Sequence, residues 1–205
     1  MITQRQMKLI VNDLSERDKK LKKIIDSNPL CTIGSNQRLI TNFEALVNTV
    51  ISQQLAVKAA ESIFSRVKDL ADGQITPSVM ATISETKMRK IGVSGSKYKA
   101  IHGLTDAALT KKININKLHE IDDERIIFDR LTELWGIGPW TVDMFMMFQL
   151  GKLDVWPITD LGVRRGWEKM YSLKKELTVN DLEKKGEKFR PYRSVVAWYC
   201  WRALN

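Results

Sequence analysis

The sequence predicts a compact, two-lobed, all-α fold, and three observations carry that reading. Apolar residues recur at helical spacing: Phe43, Leu46, Val47, Val50 and Ile51 share one face, and Ala59, Ala60, Ile63, Phe64 and Val67 resume it after a polar break. Strand-like alternation is scarce. Short connectors punctuated by glycine, serine and proline separate the periodic stretches. With 205 residues and 43% hydrophobic content the chain can close a proper core. No low-complexity linker or internal repeat divides it, so residues 1–205 are expected to work as one unit. The turns Gly73–Pro77 and Gly92–Ser96 are the candidate lobe markers.

Taken in order, a first helix is expected over about 13–27, followed by the pair centred on 43–51 and 59–67. Further helices are expected over about 79–91, 97–110 and 122–134. Pro139 suits the first position of the next helix, about 140–150, because its missing N–H is not needed there. Thr159-Asp160-Leu161 has the look of a helix start, with Asp160 as N-cap of a helix over 160–171. Helices over 179–186 and 191–203 close the chain. The last is so apolar that Trp198 and Trp201 are read as core residues on the residues alone.

Composition narrows the function classes. The formal net charge is +9, a balance that suits a polyanion, or else a solvated lysine-rich surface. Cys31 and Cys200 are the only cysteines and have no Cys-x-x-Cys spacing, which excludes a zinc site or a four-cysteine iron–sulfur cluster built on them. Both thiols are expected to be buried and reduced. His102 and His119 lie in no ligand pattern. Behind Met1 the chain is polar, and no run reaches membrane-spanning length, so neither export nor membrane insertion is expected.

The segment with the most chemistry in it is Leu134-Trp-Gly-Ile-Gly-Pro-Trp-Thr141. Gly136 and Gly138 let the chain turn sharply where a Cβ would obstruct, and a helix starting at Pro139 offers N–H groups and a positive dipole end to an anionic oxygen. The plain alternative is a tight connection between two helices. The nine residues 151–159 can fold back along the following helix and bring Asp160 towards its first turns. Asp160 is then a cap, a reactive carboxylate, or both.

These residues resemble a known family. Leu134-Trp-Gly-Ile-Gly-Pro-Trp-Thr141 and Asp154-Val-Trp-Pro-Ile-Thr-Asp-Leu-Gly-Val-Arg-Arg-Gly166 are similar to the helix-hairpin-helix plus Gly/Pro-Asp signature of base-excision DNA glycosylases, most closely the DNA-3-methyladenine glycosylase II group. Two more segments support it: Val50-Ile-Ser-Gln-Gln-Leu-Ala-Val-Lys-Ala-Ala60 and the stretch from Phe189 to Arg202. The resemblance covers about residues 40–203. It implies a helix-hairpin-helix at about 122–150 and a catalytic loop at about 151–162. The β-rich N-terminal domain of some members is not expected here.

What the resemblance implies for function follows. The substrate is double-stranded DNA with a damaged base flipped out of the stack, bound by a monomer. As the base leaves, positive charge develops on the sugar, and the carboxylate of Asp160 stabilises it and orients the attacking water. Trp201, Trp140 and Met144 match base-pocket positions, and Met144 and Leu161 stand where some relatives have tyrosine. Trp135 and Trp156 are weaker candidates on flanking loops. Leu55 matches the wedge that fills the gap in the base stack, with Gln54 touching the orphaned base; a buried leucine in a capping turn is the alternative. Gly136, Gly138 and Thr141 are the phosphate contacts, with Lys97 and Lys99 as lesser ones. Backbone carbonyls of Thr132, Leu134 and Ile137 are the expected ligands of a structural Na⁺ or K⁺, and no cofactor is required. Relatives that nick DNA carry a lysine where this chain has Trp140, so a monofunctional hydrolase acting on cationic alkylpurines such as 3-methyladenine or 7-methylguanine is expected. The alternatives are a bifunctional glycosylase–lyase for oxidised bases and a non-catalytic binding module. Residence follows the DNA: cytoplasmic in a prokaryote, nuclear in a eukaryote.

Overall fold

The computed structural model describes residues 1–35 and 39–204, and among them the regular structure is helical, with no strand. In chain order the helices are α1 (Gln4–Arg17), α2 (Lys19–Asp26), α3 (Asn42–Ser52), α4 (Val57–Leu70), α5 (Pro77–Met80), α6 (Glu85–Lys90), α7 (Gly95–Leu109), α8 (Glu124–Thr132), α9 (Pro139–Met144), α10 (Leu161–Tyr171), α11 (Val179–Gly186) and α12 (Arg193–Arg202). Short 3₁₀ turns at Ile115–Glu120 and Glu187–Phe189 and a wide π-type turn at Phe145–Gln149 complete the order. No helix among the described residues is long and apolar enough to cross a membrane.

The chain divides into two compact units: Met1–Gln37 with Met146–Asn205, and Arg38–Phe145. Two lobes were expected, but both candidate marker turns, Gly73–Pro77 and Gly92–Ser96, lie inside the second unit. The division instead falls near residues 37 and 145, the first just after Gly34-Ser35-Asn36 and the second inside the apolar run Met144–Phe148.

In the second unit α3 is the central element. Phe43, Leu46, Val47, Val50 and Ile51 are each at most 1% exposed, and α3 packs on α4, α7 and α9. Each such side chain contributes roughly 1.5–3 kcal/mol of transfer free energy. The expected helix over 79–91 is two helices, because the hydroxyl of Ser84 accepts the Lys87 N–H and begins α6 afresh.

In the first unit α10 lies against α12, and α2 packs on both. The expected helix over 13–27 is also two. Asp18 is extended (φ −149°, ψ 114°), and its carboxylate accepts the N–H groups of Lys20 and Leu21, which ends α1 and caps α2. α1 itself starts nine residues before the expected point. A reciprocal capping box joins Thr3 and Gln6, and Met7, Ile10, Val11 and Leu14 form its buried stripe at helical spacing. Both cysteines are buried as expected, and burial pushes the Cys31 thiol up to about 12 and raises that of Cys200 as well.

Candidate active site

Asp160 is the N-cap of α10, as its sequence context suggests. Its Oδ1 accepts the Val163 N–H at 2.7 Å, and its own carbonyl accepts the Arg164 N–H at 3.1 Å. The helix dipole stabilises a negative charge there. A second donor reaches the same oxygen: the indole Nε1 of Trp201 donates to Oδ1 at 2.9 Å. Trp201 is half-buried, unlike Trp198 on the preceding turn, which is 5% exposed under the guanidinium of Arg202. The core reading therefore holds for Trp198 and fails for Trp201, whose indole turns its N–H on the carboxylate.

The loop that carries Asp160 is pinned from both sides. Ser194, at the start of α12, accepts the Val155 N–H (2.9 Å) and donates to the Lys152 carbonyl (2.8 Å). Arg193 forks the carboxylate of Asp154 through Nε and Nη2, each at 2.9 Å. Trp156 donates from Nε1 to the Leu182 carbonyl at 2.8 Å and is 7% exposed, which corrects its reading as a pocket aromatic. Its ring lies so close to Gly186 that any Cβ there would collide with it. These contacts fix the loop on which the Asp160 carboxylate stands.

Two residues of this site escaped the sequence reading. Phe148, 57% exposed on the π-type turn, stacks on Trp201 with ring centroids 5.7 Å apart and 28° between planes. Gly162 makes room for the Trp201–Asp160 bond, since a Cβ at 162 would lie 2.8 Å from Trp201 Cδ1 and 3.1 Å from Asp160 Oδ1. Nothing in sequence separates Phe148 from the buried apolar run Met144–Met147 that it ends. Nothing in sequence marks the glycine, because its need comes from an indole 39 positions away.

The hairpin and the wedge form a separate cluster in the other unit. Gly136 has φ +79°, and a Cβ there would come 2.7 Å from the Cβ of Ala100 on α7, so glycine is required for both backbone and packing. Gly138 has no heavy atom within 4 Å of its would-be Cβ and caps α9 without a side chain. Pro139 is the first residue of α9, as expected. Thr141 is a correction. Only 1% exposed, it accepts the amide Nε2 of Gln53 on Oγ1 at 2.8 Å, so its hydroxyl is turned inward and not towards a phosphate.

Gln53 also donates to the Gly136 carbonyl at 2.9 Å, which ties the end of α3 to the hairpin. Beyond it Gln54 takes a left-handed φ of +55°, and the Leu55 N–H closes the turn on the Ser52 carbonyl. Such a conformation costs a non-glycine residue about 1 kcal/mol. It puts Leu55 outside, 39% exposed, and Gln54 beside it. Lys97, a candidate phosphate contact from sequence, is used internally: its ammonium caps α3 by donating to the Ile51 carbonyl at 2.8 Å, and burial lowers its pKa. Lys99 sits 4.2 Å above the ring of Trp135, which is 52% exposed beside the hairpin.

The remaining candidates divide. Trp140 is half-buried and Met144 is 8% exposed, both on α9, while Leu161 is 46% exposed at the start of α10. Thr132 ends α8, and the Leu134 carbonyl accepts the Ile137 N–H at 3.1 Å, leaving a second lone pair on that oxygen. The predicted residues are thus gathered into two sets. One is Asp160 with Trp201, and the other is Gln54 and Leu55 joined through Gln53 to the hairpin; the two sets belong to different units.

Comparisons with known proteins agree with the helix-hairpin-helix fold. Residues 47–191 match the family model of the HhH-GPD superfamily of base excision DNA repair proteins. DNA-3-methyladenine glycosylase 1 of Schizosaccharomyces pombe is 35% identical over 78% of this chain and 71% of that protein. The DNA-3-methyladenine glycosylase of Saccharomyces cerevisiae is 30% identical over 93% of this chain and 77% of that protein. Among solved structures, the S. pombe 3-methyladenine DNA glycosylase in complex with abasic DNA superposes with a TM-score of 0.80 at 30% identity, covering 96% of this chain and 95% of that one. The DNA-3-methyladenine glycosidase of Bacillus halodurans gives 0.80 at 29%, covering 95% and 88%. With the motif, the fold and these relatives in agreement, the chain belongs to the HhH-GPD superfamily of base excision DNA repair proteins.

Proposed function

We propose that the protein is a monofunctional DNA glycosylase that hydrolyses the N-glycosidic bond of alkylated purines, of the 3-methyladenine and 7-methylguanine type, flipped out of double-stranded DNA. The observation that carries this reading is the Asp160 carboxylate, held by a helix N-terminus and an indole N–H beside the Phe148–Trp201 stack. In the reaction the base departs with the electrons of its bond to the sugar, and positive charge spreads over the anomeric carbon and ring oxygen. A fixed anion stabilises that charge, and water then adds its oxygen to the anomeric carbon and loses a proton. A purine methylated at N3 or N7 is already cationic, so it leaves without a strong general acid and is drawn to electron-rich aromatic faces.

Trp140 stands where a nicking enzyme needs an amine, and an indole forms no imine, so the product is an intact abasic site. Gly136 and Gly138 are the phosphate contacts in this reading. The carbonyls of Thr132, Leu134 and Ile137 are the oxygens that would hold a Na⁺ or K⁺ at the hairpin. The enzyme acts as a monomer, wherever its organism keeps its DNA. The test is release of free base from defined methylated duplexes, with borohydride present in a parallel reaction. Base release with no trapped adduct is the expected result. A trapped protein–DNA adduct would overturn the hydrolase in favour of a lyase, and binding without release would leave only a DNA-binding module.

Leu55 is assigned to the wedge because it matches the family's wedge position and stands part-exposed on the left-handed turn that follows α3, beside the exposed Gln54. Leu55→Ala is expected to slow excision from duplex by about tenfold, the loss of roughly 1–2 kcal/mol of stacking replacement. Excision from single-stranded DNA should stay within about twofold of wild type. Equal slowing on both substrates would remove the wedge role.

A further inference from the structure

The net charge of +9 is shared unevenly between the units. The first unit has 19 lysines and arginines against 11 acidic residues, and the second, which holds the hairpin, has 14 against 13, so +8 of the charge belongs to the first. Part of that excess is concentrated around a cavity of about 250 Å³ lined by Trp167, Tyr171, Leu173, Lys184, Lys185 and Lys188. This cavity is at the C-terminal end of α10, whereas Asp160 caps its N-terminal end. The eleven residues between them rise roughly 16 Å. It is therefore a place apart from the reacting centre.

Of the three lining lysines Lys188 is paired with Asp18, so the uncommitted charge at the cavity is that of Lys184 and Lys185, which the exposed Asp181 carboxylate reaches only at longer range. Asp18 caps α2 with one carboxylate oxygen and takes the Tyr171 hydroxyl (2.7 Å) and the Lys188 ammonium (2.6 Å) on the other. Glu168 accepts the Leu177 N–H at 2.7 Å, and Asp181 is spent in the capping box of α11. By contrast Lys184 and Lys185, in the last turn of α11, are exposed and form no ion pair among the described residues. Lys20 adds its charge from α2, donating to the Tyr171 carbonyl at 3.0 Å. An open basic cavity with an aromatic edge suits a phosphate and its attached sugar better than an isolated ion.

We propose that this cavity is a second DNA-backbone site, which takes phosphodiesters outside the stretch that carries the damaged base and raises affinity for long, undamaged DNA. The inference rests on the reading of the chain as a DNA glycosylase, and its test separates the two. The double variant Lys184→Glu/Lys185→Glu is compared with wild type for binding to an undamaged duplex of several turns, and for single-turnover excision from a saturating lesion duplex of about one turn. For the long duplex, affinity should fall by roughly tenfold and the log–log salt slope should become shallower by about 2, near 0.9 for each lysine. The excision rate on the short duplex should be unchanged, because Asp160 and its partners are untouched.

An unchanged affinity and salt slope on the long duplex would overturn the second site while leaving the glycosylase reading intact. Loss of base release in wild type as well would sink the glycosylase reading instead. A drop in affinity for RNA but not for DNA would also overturn the proposal, since the cavity would then serve another nucleic acid. Lys184→Gln/Lys185→Gln controls for misfolding: it should show the same shallower slope at an unaltered melting temperature.

Discussion

Asp160→Asn is expected to lower single-turnover base release by two to three orders of magnitude while DNA affinity stays within about threefold. The substitution isolates charge from structure. Asparagine is as good an N-cap as aspartate, so the bond from the Val163 N–H survives and α10 keeps its start. Its amide oxygen can also accept the Trp201 N–H, which preserves the indole's position beside Phe148. What is removed is the negative charge that, in the proposed mechanism, faces the developing oxocarbenium ion, and a loss of about 3–4 kcal/mol is typical for one preorganised electrostatic contact. Asp160→Ala should cost the same in rate and about 1 kcal/mol more in stability, because the cap goes with the charge. Unfolding measured by circular dichroism, with excision measured on the same preparations, separates the two effects. An Asp160→Asn enzyme retaining more than about a tenth of wild-type rate would mean that the carboxylate is a cap alone.

Residues whose role is local were legible in sequence. Pro139 had to open a helix, Asp160 had to cap one, and Gly136 had to turn the chain, because each need is met within a few residues. What sequence could not show was the use of those residues by distant ones. Thr141 was expected to face phosphate by its place beside the hairpin, yet Gln53, 88 positions earlier, takes its hydroxyl. Lys97 seemed a surface charge, but the carbonyl end of α3 claims it. The same limit hid the split at Asp18: an aspartate among lysines is an ordinary solvated residue until it caps a new helix and collects Tyr171 and Lys188. Trp201 shows the converse. Periodicity made it core, as it does Trp198, and only the resemblance drew it towards the pocket; a single indole hydrogen bond distinguishes the two.

Gly166→Ala is expected to be the most destabilising glycine-to-alanine change in the first unit. The Cβ would be driven into the backbone carbonyl of Cys200, where α10 meets α12. Two effects oppose each other. Alanine in place of glycine inside a helix gains up to about 1 kcal/mol of propensity. Against it stands overpacking of a helix backbone, which cannot rotate aside as a side chain can, at about 3 kcal/mol or more once the helices are forced apart. The clash wins, and for a chain of this size the melting temperature should drop by roughly 5–10 °C. The consequence reaches the chemistry, since α10 begins at Asp160 and α12 carries Trp201: separating them at 166 lengthens the indole–carboxylate bond. Gly162→Ala supplies the contrast. Its Cβ meets a side chain and not a backbone, so the indole shifts, base release falls and the melting temperature changes little. If Gly166→Ala melted like wild type, the close approach of the two helices would be refuted, and with it the reason for Trp201 reaching Asp160.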